Sequence, residues 1–202
     1  MIATLDLARA LEALAEGGVI AVPTDTVYGL AADLSRPSAV AQLFALKRRP
    51  VTTALPVLVD AVQQIESLGV AWTSRAHQLS EAFWPGALTI VVPAPAALTS
   101  RVGSTGGTVG FRCPDDVVVR SLLARSGPLA VTSANEHGEA PCENAADVRR
   151  VFAGRFELRG VLDGGPRHAT VSTVIDVSAP TWRLLRVGAV SDSAISEVLA
   201  TT

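Results

Sequence analysis

Lysine, cysteine, histidine and aromatic side chains are all scarce in this 202-residue chain. Aromatics make up 4%, there are three histidines and two cysteines, and only Lys47 among the 17 basic residues is lysine. The two thiols, Cys113 and Cys142, stand far apart and outside any CxxC or mixed Cys/His spacing, so neither a disulfide framework nor a zinc site is indicated. No run of eighteen uncharged apolar residues occurs. Residues 1–18 carry Asp6, Arg9, Glu12 and Glu16 at helical spacing instead of a basic segment ahead of an apolar one. A cytoplasmic protein is therefore expected, neither secreted nor membrane-spanning. A formal net charge of −2 supplies no global field for a polyanion, so direct nucleic-acid binding is expected to be weak or absent. No GxxxxGK[ST] phosphate loop is present either.

What the chain does have is apolar content, 49% of its residues, enough for one substantial core. The length favours a single domain over residues 1–202. Leu5, Leu11, Leu14 and Ala15 recur at helical spacing, Gly17-Gly18 ends that helix, and Val19 to Val22 reads as a short buried strand. Pro23 to Leu30 reads as a polar loop leading to a helix from about Ser38 to Lys47. Further strands are expected at Leu55–Val59, Leu88–Val92, Val109–Phe111, Leu129–Thr132, Val171–Val177 and Trp182–Leu185. Helices are expected near Ala61–Leu68, Ser74–Phe83, Val117–Arg125, Asn144–Phe152 and Ser191–Leu199. The alternation predicts an α/β fold, a single-domain twisted mixed parallel/antiparallel sheet flanked by helices.

Several segments concentrate polar chemistry. Pro23-Thr24-Asp25-Thr26-Val27-Tyr28-Gly29-Leu30 places hydroxyls, a carboxylate and a phenol directly after a buried strand; a hydrogen-bonded turn capped by Thr24 and Asp25 is the plainer reading, a small-ligand loop the sharper one. Lys47-Arg48-Arg49-Pro50 sits at a helix C-terminus, where the dipole favours cations anyway. Three cations in a row exceed that need, and Arg with Lys suits a polyphosphate. Thr105 to Arg112 supplies glycines for close backbone approach and ends in a strand arginine that either meets an anion or snorkels to solvent. Ser133 and Asn135 lie two apart, on one face at a strand end, where ligands sit in α/β sheets; a capped turn is the alternative. Ser172-Thr173-Val174 opens a strand and Arg186-Val187-Gly188 ends one. Two apparent signals are dismissed. His137-Gly138-Glu139 with Pro141-Cys142 lacks the second cysteine of a zinc deaminase, and Ser133 with His137 has no nucleophile elbow around it.

Taken in order, PTDTVYGL, KRRP, WPGALT, TVGFRCPD, SAN, DGGP, STVID and LLRVG resemble the threonylcarbamoyl-AMP synthase family in its short, YrdC-like form, from about Gly17 to Val190. The resemblance implies the YrdC-like fold and a reaction joining L-threonine, bicarbonate and ATP into threonylcarbamoyl-adenylate and pyrophosphate. Mg²⁺ would accompany ATP, no cofactor would be permanently bound, and a tRNA threonylcarbamoyl-transferase complex would accept the product. It also implies roles. Lys47 and Arg49 with Ser133 and Asn135 correspond to the ATP-phosphate and carbamate site, Thr53, Thr108, Pro141 and Arg186 to further nucleotide contacts, and Thr26, Arg112, Val131 and Ser172 to positions around threonine. The chain departs from the family pattern at Leu58 and Asp116, where relatives carry histidine, and at Thr132 and Val187, where they carry proline. The alternatives are an RNA-binding or ribosome-associated module of the same fold, and an adenylating enzyme acting on carbamoyl phosphate.

Overall fold

A computed structural model describes residues 2–47, 53–136, 138–167 and 170–200. In chain order its elements are β1 (Thr4–Leu5), α1 (Leu7–Ala15), β2 (Val19–Val22), β3 (Gly29–Asp33), α2 (Pro37–Lys47), β4 (Val57–Leu58), α3 (Val62–Glu66), α4 (Ser74–Phe83) and β5 (Leu88–Pro93). There follow α5 (Ala96–Arg101), β6 (Thr108–Arg112), α6 (Val117–Ser126), β7 (Leu129–Ser133), α7 (Ala145–Val151), β8 (Leu158–Leu162), β9 (Thr173–Asp176), β10 (Arg183–Arg186) and α8 (Asp192–Ala200).

Local chemistry accounts for several boundaries. Asp6 caps α1 by accepting the Arg9 backbone N–H at 2.8 Å, and Gly17 takes the left-handed conformation after it (φ +82°), which costs glycine nothing. The second helix begins at Pro37 rather than Ser38, because proline's fixed φ and missing donor suit the first helical position. Thr73 caps α4.

The ten strands form one sheet in the order β1-β8-β2-β3-β7-β4-β6-β5-β9-β10. Pairings β1/β8, β2/β8, β4/β6 and β5/β9 are parallel and the others antiparallel, so the sheet is mixed as the alternation predicts. Strands β1, β3 and β8 and helix α5 were not expected. Residues 29–33 extend a strand out of what reads as loop, and β8 carries Arg159 and Gly160, which interrupt its apolar pattern.

The two faces of the sheet are covered unequally. Leu30, Val57, Ile90, Phe111 and Ile175 point to one face and pack with side chains of α2, α3, α4, α5, α7 and α8. Alternation along the strands sends Ala31, Leu58, Val131, Thr89, Gly110 and Arg112 to the opposite face. There α1 and α6 pack against Ile20, Val22, Ala31, Leu58 and Val131, while Leu58, Val131, Thr89, Gly110 and Arg112 line an open cleft of about 420 Å³. The site is this uncovered stretch of sheet.

Candidate active site

At one end of the cleft Arg112, 6% exposed at the last residue of β6, is held on three sides. Its Nε donates to the Gly86 carbonyl at 3.0 Å, its Nη1 to Thr26 Oγ1 at 3.1 Å, and its Nη2 to the Asp25 carboxylate. Thr26 lines the cleft and Asp25 does not, so the carboxylate braces the guanidinium from behind. Burial lowers the pKa of Arg112, opposed by the charge and hydrogen bond of Asp25; Arg186 lowers it further. A guanidinium stays protonated at any physiological pH, so these effects report a cation held at some cost and ready for an anion. Five N–H groups less the three assigned leaves two, enough for one bidentate carboxylate.

Arg186 enters from β10. Its Nε and Nη2 donate to the Ser172 carbonyl at 2.9 Å and to Ser172 Oγ at 2.8 Å, and burial lowers its pKa too. Ser172 Oγ also lies 3.0 Å from Thr89 Oγ1. The approach of Arg186 to Ser172 depends on Gly188. A Cβ there would stand 2.3 Å from the Val171 carbonyl oxygen and 2.5 Å from Thr173 N, distances no side-chain carbon tolerates, so the segment after β10 can rest directly on the start of β9.

At the other end, Lys47 closes α2 and is 4% exposed. Its Nζ donates to the Ser133 carbonyl, to Ser133 Oγ and to Asn135 Oδ1, each at 2.7 Å. Ser133 Oγ donates onward to Asn135 Oδ1 at 2.7 Å, and Asn135 Nδ2 to the Glu139 carbonyl at 2.6 Å. The ammonium is thus fixed behind Ser133, which lines the cleft, and is not itself among the lining side chains. The strand end is stitched to the Pro23–Leu30 segment: Ala134 N donates to the Tyr28 carbonyl at 2.8 Å, Tyr28 N to the Cys142 carbonyl at 2.9 Å and Cys142 N to the Ala134 carbonyl at 2.7 Å. Gly29 allows this approach, since a Cβ there would lie 2.8 Å from Val131 Cγ1. Tyr28 OH bonds Asp163, Gly164 and Gly165, and burial raises its pKa ahead of the neighbouring Asp163 charge.

Thus Thr26, Thr108, Arg112, Val131, Ser133, Pro141, Ser172 and Arg186, all named from the sequence, converge on one cleft, with Lys47 and Asn135 directly behind Ser133. Thr53 is exposed and outside the lining, next to Ala54, which is part of it. Arg49 lies outside the described residues. Leu58 is buried in the cleft wall. Asp116 is not in the cleft: one carboxylate oxygen caps α6, accepting Val118 N and Val119 N at 2.9 Å, and the other accepts Arg167 Nη2 at 2.5 Å. Val187 is 70% exposed at the rim. Sequence reasoning missed the brace of Asp25 and Gly86 on Arg112. Asp25 was visible as a lone acid in a hydroxyl-rich loop; a backbone carbonyl such as that of Gly86 leaves no signal in the side chains. No group of three or more His, Cys, Asp or Glu poised to hold a metal ion occurs among the described residues, and no helix is long and apolar enough to cross a membrane.

The fold and cleft define an α/β protein whose open sheet face is lined by arginines and hydroxyls, with a buried lysine directly behind. The chain belongs to the Sua5/YciO/YrdC family, whose profile, described as "Telomere recombination", matches residues 12–188. It is 41% identical to a putative threonylcarbamoyl-AMP synthase of Mycobacterium leprae over 96% of this chain and 87% of that one. It is 37% identical to the threonylcarbamoyl-AMP synthase of Bacillus subtilis, again over 96% of this chain but 56% of the relative. Among solved structures, Sua5 of Pyrococcus abyssi complexed with L-threonine superposes with a TM-score of 0.86 at 32% identity, covering 96% of this chain and 57% of that one. The chain therefore spans a little over half of the two longer relatives.

Proposed function

We propose that this chain is a nucleotidyltransferase that forms L-threonylcarbamoyladenylate and pyrophosphate from L-threonine, bicarbonate and ATP, in the cytoplasm, for threonylcarbamoyladenosine modification of tRNA by a transferase complex. The observation that carries this reading is one cleft with two cation centres of different build: Arg112 with Thr26 at one end, Lys47 with Ser133 and Asn135 at the other. Relatives with this fold are named for the reaction, and one was solved with threonine.

In this reading the threonine carboxylate takes the two remaining N–H groups of Arg112, which fixes the α-carbon and aims the amine along the cleft. The amine attacks bicarbonate, water is lost, and a carbamate oxygen then attacks the α-phosphorus of ATP. The bond to the β-phosphate breaks and pyrophosphate leaves, with Mg²⁺ arriving as part of the nucleotide substrate. None of these steps needs a covalent nucleophile, so positioning and charge stabilisation carry the catalysis. The positive charge of Lys47 lies beneath Ser133, so a phosphate resting on that part of the wall would be stabilised by the field of the ammonium behind it. Arg186 and Ser172 supply donors at the third edge.

The test is pyrophosphate release from pure protein with threonine, bicarbonate and Mg-ATP, each omitted in turn. Release that requires all three supports the reading; release without threonine, or none, overturns it. The RNA-binding alternative has no comparable observation behind it.

A further inference from the structure

From the connection between β8 and β9 we infer that Asp116 and Arg167 are positioning residues, a clasp that holds the segment carrying Val171 and Ser172 at a fixed place relative to the end of β6. The inference rests on the proposed reaction, in which Ser172 supplies a donor to the substrates. Val171 and Ser172 line the cleft; neither member of the clasp does. The family pattern has histidine at residue 116, so the resemblance assigns this pair no role.

Between Leu162 and Thr173 the described residues form neither helix nor strand, so no ladder of backbone bonds sets the course of the chain there. Its start is fixed by Tyr28 OH, which bonds Asp163, Gly164 and Gly165. Its end is fixed by Ser172, which accepts Arg186 and meets Thr89 Oγ1. Between these anchors stands Arg167. Its backbone N–H donates to the Glu143 carbonyl at 2.7 Å, and its Nη1 donates to the carbonyls of Gly164 at 2.8 Å and Pro166 at 3.2 Å. Its Nη2 reaches out of the segment to Asp116 at 2.5 Å. Asp116 follows Arg112 by four residues, so this bond ties the segment to the exit of β6. Gly164 makes room for the fold-back, since a Cβ there would stand 2.5 Å from Arg167 Nη2 and 2.8 Å from Pro23 Cβ. The side chains of Arg167 and Asp116 are only 15% and 10% exposed, and Arg167 Nε is buried with no hydrogen-bond partner. An unmet buried donor is a cost that the charge-assisted bond to Asp116 offsets, and the same bond makes either partner harmful when left alone.

Asp116 also caps α6, accepting Val118 N and Val119 N at 2.9 Å through its other oxygen, so the variants must part the two tasks. Asp116→Ser keeps a capping hydroxyl but is too short and uncharged to hold Arg167; Arg167→Ala opens the clasp from the other side. Each should raise KM for threonine in pyrophosphate release by about tenfold, since a shift of about 1 Å in a positioning group can cost up to about 10²-fold. Because Ser172 is then misplaced in ground and transition states alike, kcat should change by less than about twofold. The double variant should be no worse than the worse single one. Arg167→Lys, which keeps the charge but not the planar fork, should be intermediate and decides the matter if the alanine variant does not fold. Amide exchange at residues 170–173 should quicken in each variant while α6 stays protected. An unchanged KM in folded variants, unchanged exchange at 170–173, or losses that multiply in the double variant overturn the inference alone. An unmodified chain that shows no threonine-dependent release overturns the proposed reaction, and this inference with it.

Discussion

The two ends of the cleft hold their cations by different means. Arg112 is braced by a carboxylate, a carbonyl and a hydroxyl, so much of its charge is answered from behind and its remaining N–H groups point in a fixed direction. The described contacts of Lys47 are with a carbonyl, a hydroxyl and an amide oxygen, and they hold its ammonium directly behind Ser133. A group that must recognise one geometry gains from an ion-pair brace, whereas a charge held behind a hydroxyl acts through its field on whatever that stretch of wall receives.

That contrast can be broken, and the largest effect is expected at Lys47. Lys47→Ala removes the charge and the three described hydrogen bonds of the ammonium, while Ser133 Oγ still donates to Asn135 Oδ1. Turnover should fall by about 10²- to 10³-fold while circular dichroism stays native; near-normal turnover would show that the ammonium only ties β7 to α2. At Arg112 the expected loss is in binding. Arg112→Lys keeps charge but not the planar fork, so KM for threonine should rise by about 10- to 100-fold with a smaller change in kcat. Asp25 sharpens the comparison. If it acts by orientation, Asp25→Asn, which retains an acceptor oxygen, should change KM only about two- to threefold, whereas Asp25→Ala should raise it about tenfold and lower stability by roughly 3 kcal/mol by stranding a buried guanidinium. Equal effects from the two variants would mean that the charge, not the geometry, matters there.

The smallest effect concerns stability alone, and a thiol lies near each end. Burial pushes Cys113, next to Arg112, and Cys142, near Lys47, up to about 11 from an ordinary 9.0. For Cys113 the Arg120 charge pulls the other way, and for Cys142 the Asp147 charge adds to the rise. A raised folded-state pKa means the unfolded chain loses its proton first. The stabilisation is therefore whole below pH 9 and is lost as pH rises from 9 to about 11, on the order of 2 kcal/mol per thiol. Urea midpoints should be flat from pH 7 to 9 and fall above that, and Cys113→Ala or Cys142→Ala should each flatten the decline.

How far the sequence foretold this depends on what each element announces. Strands such as β5 are runs of β-branched residues and could be read directly. Strand β3, Gly29-Leu30-Ala31-Ala32-Asp33, is extended only because β2 and β7 pair on either side of it, a tertiary fact its small residues do not signal. Strand β8 is hidden in a similar way: Gly160 breaks the pattern because a Cβ there would strike Leu5 at 2.5 Å, the mark of a close crossing with β1. At the site, residue types with obvious chemistry were found. Thr53, named by family position, stands outside the cleft lining, and the brace behind Arg112 was missed because a carbonyl and a turn acid look ordinary in one dimension. The resemblance of ordered segments supplied what spacing could not, namely that they face one another.

The contact at Gly188 fixes one edge of the cleft. With backbone laid directly on backbone between residues 188 and 171–173, and Thr173 Oγ1 bonded to Gly188 N, Val190 N and the Val190 carbonyl, the two sides of that crossing cannot slide past each other. Ser172 and Arg186 are consequently yoked together, and with β9 also paired to β5 their donors keep a fixed spacing and present one preset edge to the cleft.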